Sequence, residues 1–455
     1  MKSMMRTPLM IAALFALAGC GIFKGGGGPK TPVLGERIPV LVSESDAEVD
    51  PSIADVTVAL PSPAANDSWT QPGGNAAKSM GHLALSATPT RAWTADIAGN
   101  TDRQRLAAAP VIANGRVYAI DVRARVRAFD AQTGAVVWTS AVGAPDDVEG
   151  GMNFWTGENT GNSGILFGGG VSVEGDRVFA TNGLGDVVAM NASDGSTIWL
   201  KRPGGPLRGA PTVSNGNVYV MTQDNQLFAL TQADGSVVWT ESGTVETAGV
   251  FGVAAPASAQ GTVVAGFSSG ELNAYRYENG RVLWQDALSR TSISTSVGTL
   301  SDIDADPVIQ DGRVYAIGQG GRMVAVDLLT GQRLWEINIA GIQTPWVAGE
   351  WVFAVTDEAK LLAIARATGR VRWMAQLPRW RDEEDREGPI SWSGPVLAGG
   401  RLILASTRGG IAYVSPTDGA IQTIVDHDTP IYLPPVVANN TLYLLDSKGR
   451  LTAWR

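Results

Sequence analysis

The chain has one cysteine, Cys20, in 455 residues, so no disulfide can close within it and no cysteine-based zinc site can form. Two histidines, His82 and His427, are too few for a His-rich metal centre or repeated acid–base use. Basic charge is short as well. Lys and Arg number 35 against 44 Asp and Glu, a net charge of −9, which argues against nucleic-acid binding and electrostatic adhesion to anionic lipid. No unit of the chain repeats apolar residues at helical spacing. Gly168-Gly169-Gly170 has no following helix or lysine and is not a phosphate loop, and no nucleophile elbow or Ser/His/Asp pattern stands out. His427 between Asp426 and Asp428, and the charge-dense run 381–387, read as surface turns because neither converges ligands. No catalytic, cofactor-binding or metal-ligating residue is assigned.

What the chain does have is glycine (55 residues) and tryptophan (14), a composition of short strands joined by tight turns. At its start, Lys2 and Arg6 precede an apolar run, 8–17, too short to span a bilayer, ending in Leu17-Ala18-Gly19-Cys20. This reads as a secretory signal, residues 1–19. Small residues before a cysteine at the cleavage point resemble the lipobox of bacterial lipoproteins, in which Cys20 becomes the first mature residue and carries lipid. Cleavage there removes two cations and no acid, taking the side-chain charge from −9 to −11. Gly21 in place of an aspartate, by resemblance to lipoprotein sorting, implies the outer membrane. A non-lipidated signal peptide with an incidental cysteine is the alternative.

From 21 to 66 no periodicity is visible. Four glycines and Pro29 open a stretch rich in Pro, Ser, Ala and acid, which predicts a flexible tether. The folded part is expected over 67–455, where the sequence repeats. Each unit carries an apolar run, an Arg-Val-Tyr-like doublet, Gly-x-Leu-x-Ala, Thr-Gly or Asp-Gly, and a Trp four residues later. The doublet recurs eight times, from Val117-Tyr118 to Leu442-Tyr443. The alanine recurs from Ala128 to Ala453, with Tyr413 as the exception, and the tryptophan from Trp138 to Trp373, with Thr423 replacing it in the seventh unit. Alternating apolar positions say strand, and Gly-bearing pairs supply the positive φ of tight hairpins. The prediction is an all-β, eight-bladed β-propeller of four-stranded antiparallel blades. The eighth unit stops after its third strand, at Trp454, whereas Arg91-Ala92-Trp93-Thr94 looks like an orphan fourth strand. Pairing the two ends closes the ring and removes two open sheet edges. The tryptophans could line a ligand site, but a fixed place in every blade favours inter-blade packing.

The motif Gly-x-Leu-x-Ala-x-Asp-x-x-Thr-Gly-x-x-x-Trp resembles the repeat of the pyrroloquinoline quinone dehydrogenases and their non-enzymatic relatives. With a lipobox, a tether, eight blades, the stretch Trp69-Thr70-Gln71-Pro72-Gly73-Gly74-Asn75 and the stretch Leu300-Ser301-Asp302-Ile303-Asp304, the chain is similar to the BamB family. That resemblance implies a non-catalytic scaffold lipoprotein without cofactor, on the periplasmic face of the outer membrane. It implies BamA and the other members of the barrel-assembly complex as partners, and nascent outer-membrane proteins as candidate clients. It also carries a partner-binding role to Asp302 and Asp304 in one loop and to Val250 and Phe251 in its neighbour, where the family's arginine is absent and Phe251 stands in its place. The alternatives are a quinone-dependent dehydrogenase, which would need a deep cofactor chamber that this chain is short to build, and a glycan-binding propeller.

Apart from the family, three connections between blades are longer than strand closure needs, about 139–169, 285–306 and 374–394, and long loops on a rigid scaffold are the usual place for recognition. Asp302 and Asp304 fall in the second. Loop solubility or turn formation would account for the two acids equally well.

Overall fold

In each unit the doublet aromatic, the motif alanine and the tryptophan stand opposite one another on three neighbouring strands. Tyr118 pairs with Ala128 and Ala128 with Trp138; Tyr219, Ala229 and Trp239 repeat the register. The two rings lie 5.8 Å apart in both blades, so the residue between them must be small. The seventh blade inverts the volumes. Ile403, Tyr413 and Thr423 hold these three positions, and the large residue moves to the middle strand where the outer one has lost its indole. Both exceptions in the repeat are thus one compensating exchange.

A computed structural model of the protein describes residues 47–143, 168–245, 252–288 and 301–455. It shows eight four-stranded antiparallel sheets and one two-stranded ribbon. Blade 1 runs through Val111–Ala113, Arg116–Ile120, Arg125–Asp130 and Val136–Ala141, from innermost to outermost strand. Blades 2 to 7 follow in the same order over 169–201, 212–242, 257–287, 308–337, 346–376 and 392–426. Blade 8 takes three strands from the C-terminal end, Val436–Ala438, Thr441–Leu445 and Arg450–Trp454, and its outer strand from Arg91–Asp96. Trp93 pairs with Ala453 there, as expected from the orphan motif.

The tryptophans join one blade to the next. The Nε1 of Trp93 donates to the Ala131 carbonyl of blade 1 at 3.0 Å, Trp138 to Ala192 at 3.0 Å, Trp239 to Tyr277 at 2.8 Å and Trp373 to Pro416 at 3.0 Å. Each indole also lies on the turn glycine of the following blade. A Cβ on Gly134 would sit 2.6 Å from the Trp93 ring, and one on Gly195 2.5 Å from that of Trp138. The glycine therefore serves both the left-handed turn, at φ +74° and +75°, and the close approach of the indole. Blade 8 has no such turn, because its third and fourth strands come from opposite ends of the chain. The tryptophan is replaced by Thr423 in the blade that would have had to reach it.

The folded part begins earlier than the composition indicates. The tether expected up to residue 66 is docked from residue 47 onward. Val49 bridges Val371 in parallel on the outer strand of blade 6, and the Asp50 amide donates to the Val371 carbonyl at 2.9 Å. Val371 is buried, whereas the corresponding first residue of the outer strand in blades 1 and 3, Val136 and Val237, is exposed. Residues 64–85 then pass through the centre as an inner strap. Trp69 pairs with Ile112 of blade 1, the Val173 amide of blade 2 donates to Thr70, and Gln71 makes two hydrogen bonds to the Val213 backbone of blade 3. Ser258 and Ile309 of blades 4 and 5 donate to Ala76 and Ala77, the Trp346 indole of blade 6 to Gly81, while Leu83 and Asn66 bond blades 7 and 8. One short segment thus touches every blade. Its periodicity is invisible in sequence because its partners recur in space, at successive blades.

Candidate partner-docking face

The connections leading from one blade's outer strand to the next blade's inner strand share one face. Of the three long ones, residues 144–167 and 289–300 lie outside the described residues. The third carries a ribbon of Trp380–Asp382 against Glu387–Pro389 with residues 382–387 largely at the surface, in keeping with a solvated loop tip. Val250 and Phe251 also lie outside the described residues, as does Cys20.

Asp302 and Asp304 are described, and both are buried, at 1% and 9% relative exposure. Residues 301–306 turn inward because Ile303, fully buried, fills the seam between blades 4 and 5. Its amide donates to the Phe267 carbonyl at 3.2 Å, and a Cβ on Gly266 would stand 2.4 Å from its Cγ2. With Ile303 and Ala305 fixed in the seam, Asp302, Asp304 and Asp306 are drawn below the loop surface.

The Asp304 carboxylate receives Nη2 of Arg208 at 2.9 Å, and that arginine is itself 1% exposed. Arg208 leads into blade 3, and the Gly252 backbone passes over the pair so closely that a Cβ there would lie 1.6 Å from Asp304 Oδ1. Sequence reading found no arginine in the stretch 248–251. The cation that meets the acidic loop comes from one connection earlier, in Pro206-Leu207-Arg208-Gly209; a Leu-Arg pair just before an inner strand was the available signal.

Burial raises the Asp304 carboxyl to about 6. Arg208 pulls it down, and the charges of Asp302 and Asp357 push it further up. Native protein therefore holds a proton here between pH 4 and 6 that the unfolded chain has lost. Asp304's contribution to stability is fully present below pH 4 and is lost as pH rises through 6, on the order of 3 kcal/mol in all. Because Asp306 and Asp357 are also raised by burial, the measurement is a difference. Urea unfolding of the native chain and of Asp304→Asn at pH 4, 5, 6 and 7 should show a gap that changes over this window and is constant above it. A gap unchanged with pH would mean that Asp304 is solvated.

Asp304 and Asp306 line a central pit of about 270 Å³. Its wall is formed by the residues that lead into the inner strands, among them Ala107, Ala210, Val253, Thr344 and Leu433, and its floor by Trp69, Pro72, Gly73 and Lys78 of the strap. The rings of Trp69 and Trp346 stack there at 6.0 Å. The other polar candidates have structural partners. Pro61 O lies 2.7 Å from His82 Nδ1 and the Gly400 amide donates to Nε2, so the proton resides on Nδ1. His427, expected at a surface turn, is nearly buried and lies 3.5 Å from Asp446, which also holds Arg450. Among the described residues no group of three or more His, Cys, Asp or Glu converges on a metal-sized site.

Comparison with known proteins agrees with this architecture. The profile of the family described as outer membrane protein assembly factor BamB matches residues 82–147 and 122–375. The chain is 28% identical over 368 residues to the BamB of Yersinia pestis, covering 81% of this chain and 89% of that protein. The crystal structure of BamB from Moraxella catarrhalis superposes with a TM-score of 0.63 at 18% identity, covering 81% of this chain and 98% of that one. A quinohemoprotein alcohol dehydrogenase from Comamonas testosteroni shares the fold, with a TM-score of 0.64 at 13% identity over 86% of this chain and 81% of that one. The BamB profile spans well over half of the sequence. The chain belongs to the BamB family of outer membrane protein assembly factors.

Proposed function

We propose that this chain is a non-catalytic scaffold of the outer-membrane β-barrel assembly machinery. It is held to the periplasmic face of the outer membrane by lipid on Cys20, and its propeller presents a docking face to the periplasmic domains of a BamA-like barrel-assembly protein. Other members of that complex, and nascent barrel proteins, are its further candidate partners. The observation that carries the reading is the acid-bearing loop 301–306 on a face ringed by the inter-blade connections, in a chain whose relatives are named for barrel assembly. Val250 and Phe251 would supply the apolar part of the contact. Asp304, paired with Arg208 beneath Gly252, and Asp302, beneath the loop, would contribute by holding the shape and charge that the loop presents to the partner. The non-catalytic reading is supported by relatives that are named as assembly factors and by the ion pair that engages Asp304 with Arg208.

Burial changes how the site should be tested. Reversing both acids to lysine, which the sequence alone suggests would spare the fold, would place two more cations beside Arg208. The neutral pair Asp302→Asn/Asp304→Asn keeps shape and removes charge. From solubilised membranes, the tagged native chain should co-purify the barrel-assembly protein. The neutral pair and Phe251→Ala should each retain it roughly tenfold less, as expected when a contact near the centre of an interface is lost. Undiminished co-purification by both variants, with unfolding curves like the native one, would remove this loop from the interface. Dye-linked alcohol oxidation on adding quinone and calcium would favour a dehydrogenase instead.

A further inference from the structure

Residues 47–56 cover the outer edge of blade 6, and the two surfaces match in charge and in backbone. Of the eight described outer strands, only this one opens on an apolar residue set between two arginines, Arg370-Val371-Arg372. The stretch 46–55 carries four acids, Asp46, Glu48, Asp50 and Asp55, and no lysine or arginine. The Asp50 amide donates to the Val371 carbonyl at 2.9 Å, with Val49 bridging Val371 in parallel. Arg370 lies 3.4 Å from the Asp50 carboxylate and donates to the Ser52 hydroxyl at 2.8 Å. Arg372 donates to the Val56 carbonyl at 2.6 Å. Between these contacts Asp50 accepts from the Ser52 amide and caps the single 3-10 turn Pro51–Ile53, which carries the chain on to Arg372. Ala47 packs against the apolar cluster shared by blades 5 and 6. Under this cover Val371 is 3% exposed, against 57% and 53% for Val136 and Val237 at the same place in blades 1 and 3. Val49 itself stays exposed, so the segment rests on the edge and is not built into the core. An outer strand is a ready template for a further strand.

We propose that the outer edge of blade 6 is a binding site for an acidic extended peptide, filled in cis by residues 47–56, which withhold it from strands of other proteins. Backbone pairing with Val371 supplies the affinity common to strand addition, and the two arginines select an acid followed two positions on by a hydroxyl. The ion pair lies at the surface, where such pairs are weak. What keeps the segment seated is its attachment, which presents it at an effective concentration on the order of 1 mM. The site is independent of the docking face proposed above. Val371 begins its strand at the hairpin end, and the inter-blade connection follows the other end.

The test uses the full chain and a fluorescent peptide of residues 46–57, with anisotropy as the readout. Val49→Gly/Asp50→Lys loosens the resident segment at its two edge contacts. That variant should bind the peptide roughly tenfold more tightly than the native chain, where the attached copy competes. Adding Arg370→Ala/Arg372→Ala to it should abolish binding, and a peptide carrying the Asp50→Lys change should not bind. Failure of the loosened chain to bind, or equal binding by the native, loosened and arginine-free chains, would overturn the proposal. So would light scattering that shows the native chain as a dimer which the peptide disperses, since the segment would then be exchanged between copies. Should the loosened variant fail to fold, amide hydrogen exchange in Arg370→Ala/Arg372→Ala decides. The Asp50 amide should quicken by roughly tenfold, while the Ala192 amide, bonded to Asp176 in blade 2, keeps its native rate. An Asp50 rate unmoved by the loss of both arginines would sink the assignment.

Discussion

Removal of residues 450–455 is expected to abolish the folded state of the whole propeller. The strand Arg450–Trp454 is central in blade 8, paired on one side with Thr441–Leu445 and on the other with Arg91–Asp96. Without it the outer strand has no partner, about ten ladder hydrogen bonds at ~1 kcal/mol each are lost, and the buried side chains of Leu451, Thr452 and Ala453 go with them. That sum lies within or above the ~5–15 kcal/mol by which folded domains exceed their unfolded chains. The open ring would also expose two inter-blade faces and a new sheet edge. The measurement is circular dichroism during heating, with soluble yield alongside. The truncated chain should show no cooperative transition, whereas a deletion of similar length at the tip of the 381–387 ribbon, whose residues pair only with each other, should melt close to the native chain. Trp93→Ala isolates the same seam at lower cost: one buried indole, its bond to Ala131 and its packing on Gly134 amount to about 3–5 kcal/mol. A truncated chain that melts within a few degrees of the native one would show that the chain ends do not hold the ring.

Arg208→Met is expected to cost about 3–5 kcal/mol, the range seen when one partner of a buried ion pair is removed. The guanidinium is enclosed, its Nη2 is 2.9 Å from Asp304 Oδ1, and the Gly252 backbone shuts the pair from above. Methionine fills a similar length without charge, so the loss is dominated by the stranded carboxylate. It depends on pH in a definite sense. Arg208 lowers the Asp304 pKa, so in its absence the folded-state value moves above 6, and more stability is lost as pH rises past it. Urea unfolding of the variant should therefore show a smaller deficit at pH 5 than at pH 8. The double variant Arg208→Met/Asp304→Asn should recover most of the deficit at pH 8, since the two sites are coupled and neither member of the pair is left charged. A deficit under 1 kcal/mol at both pH values would mean that water reaches the pair.

These two seams differ in how far they could be read from the residues alone. The closure of the ring was legible because its signal is local: a unit ending one strand short and a Trp motif with no strands before it are visible without knowing any contact. The same holds for the turn glycines. The exceptions Tyr413 and Thr423 were visible but had no explanation until their register placed them opposite each other. The acidic pair was found by its motif, yet its setting was not, because nothing in 301–306 announces burial.

The sequence by itself determined the number of blades, the strand order within each, the place where the chain ends meet and the family to which the chain belongs, since all of these rest on patterns that recur within a few residues and follow from strand alternation and turn stereochemistry. Only the tertiary structure decided that residues 47–66 are docked on the fold, that Asp302, Asp304 and Asp306 lie below the surface, and that Arg208 is the cation paired with Asp304. Arg208 and Asp304 are 96 residues apart. Which charges meet at the centre of a ring depends on where blades converge, and a convergence of separate strands on one axis leaves no periodic trace along the chain.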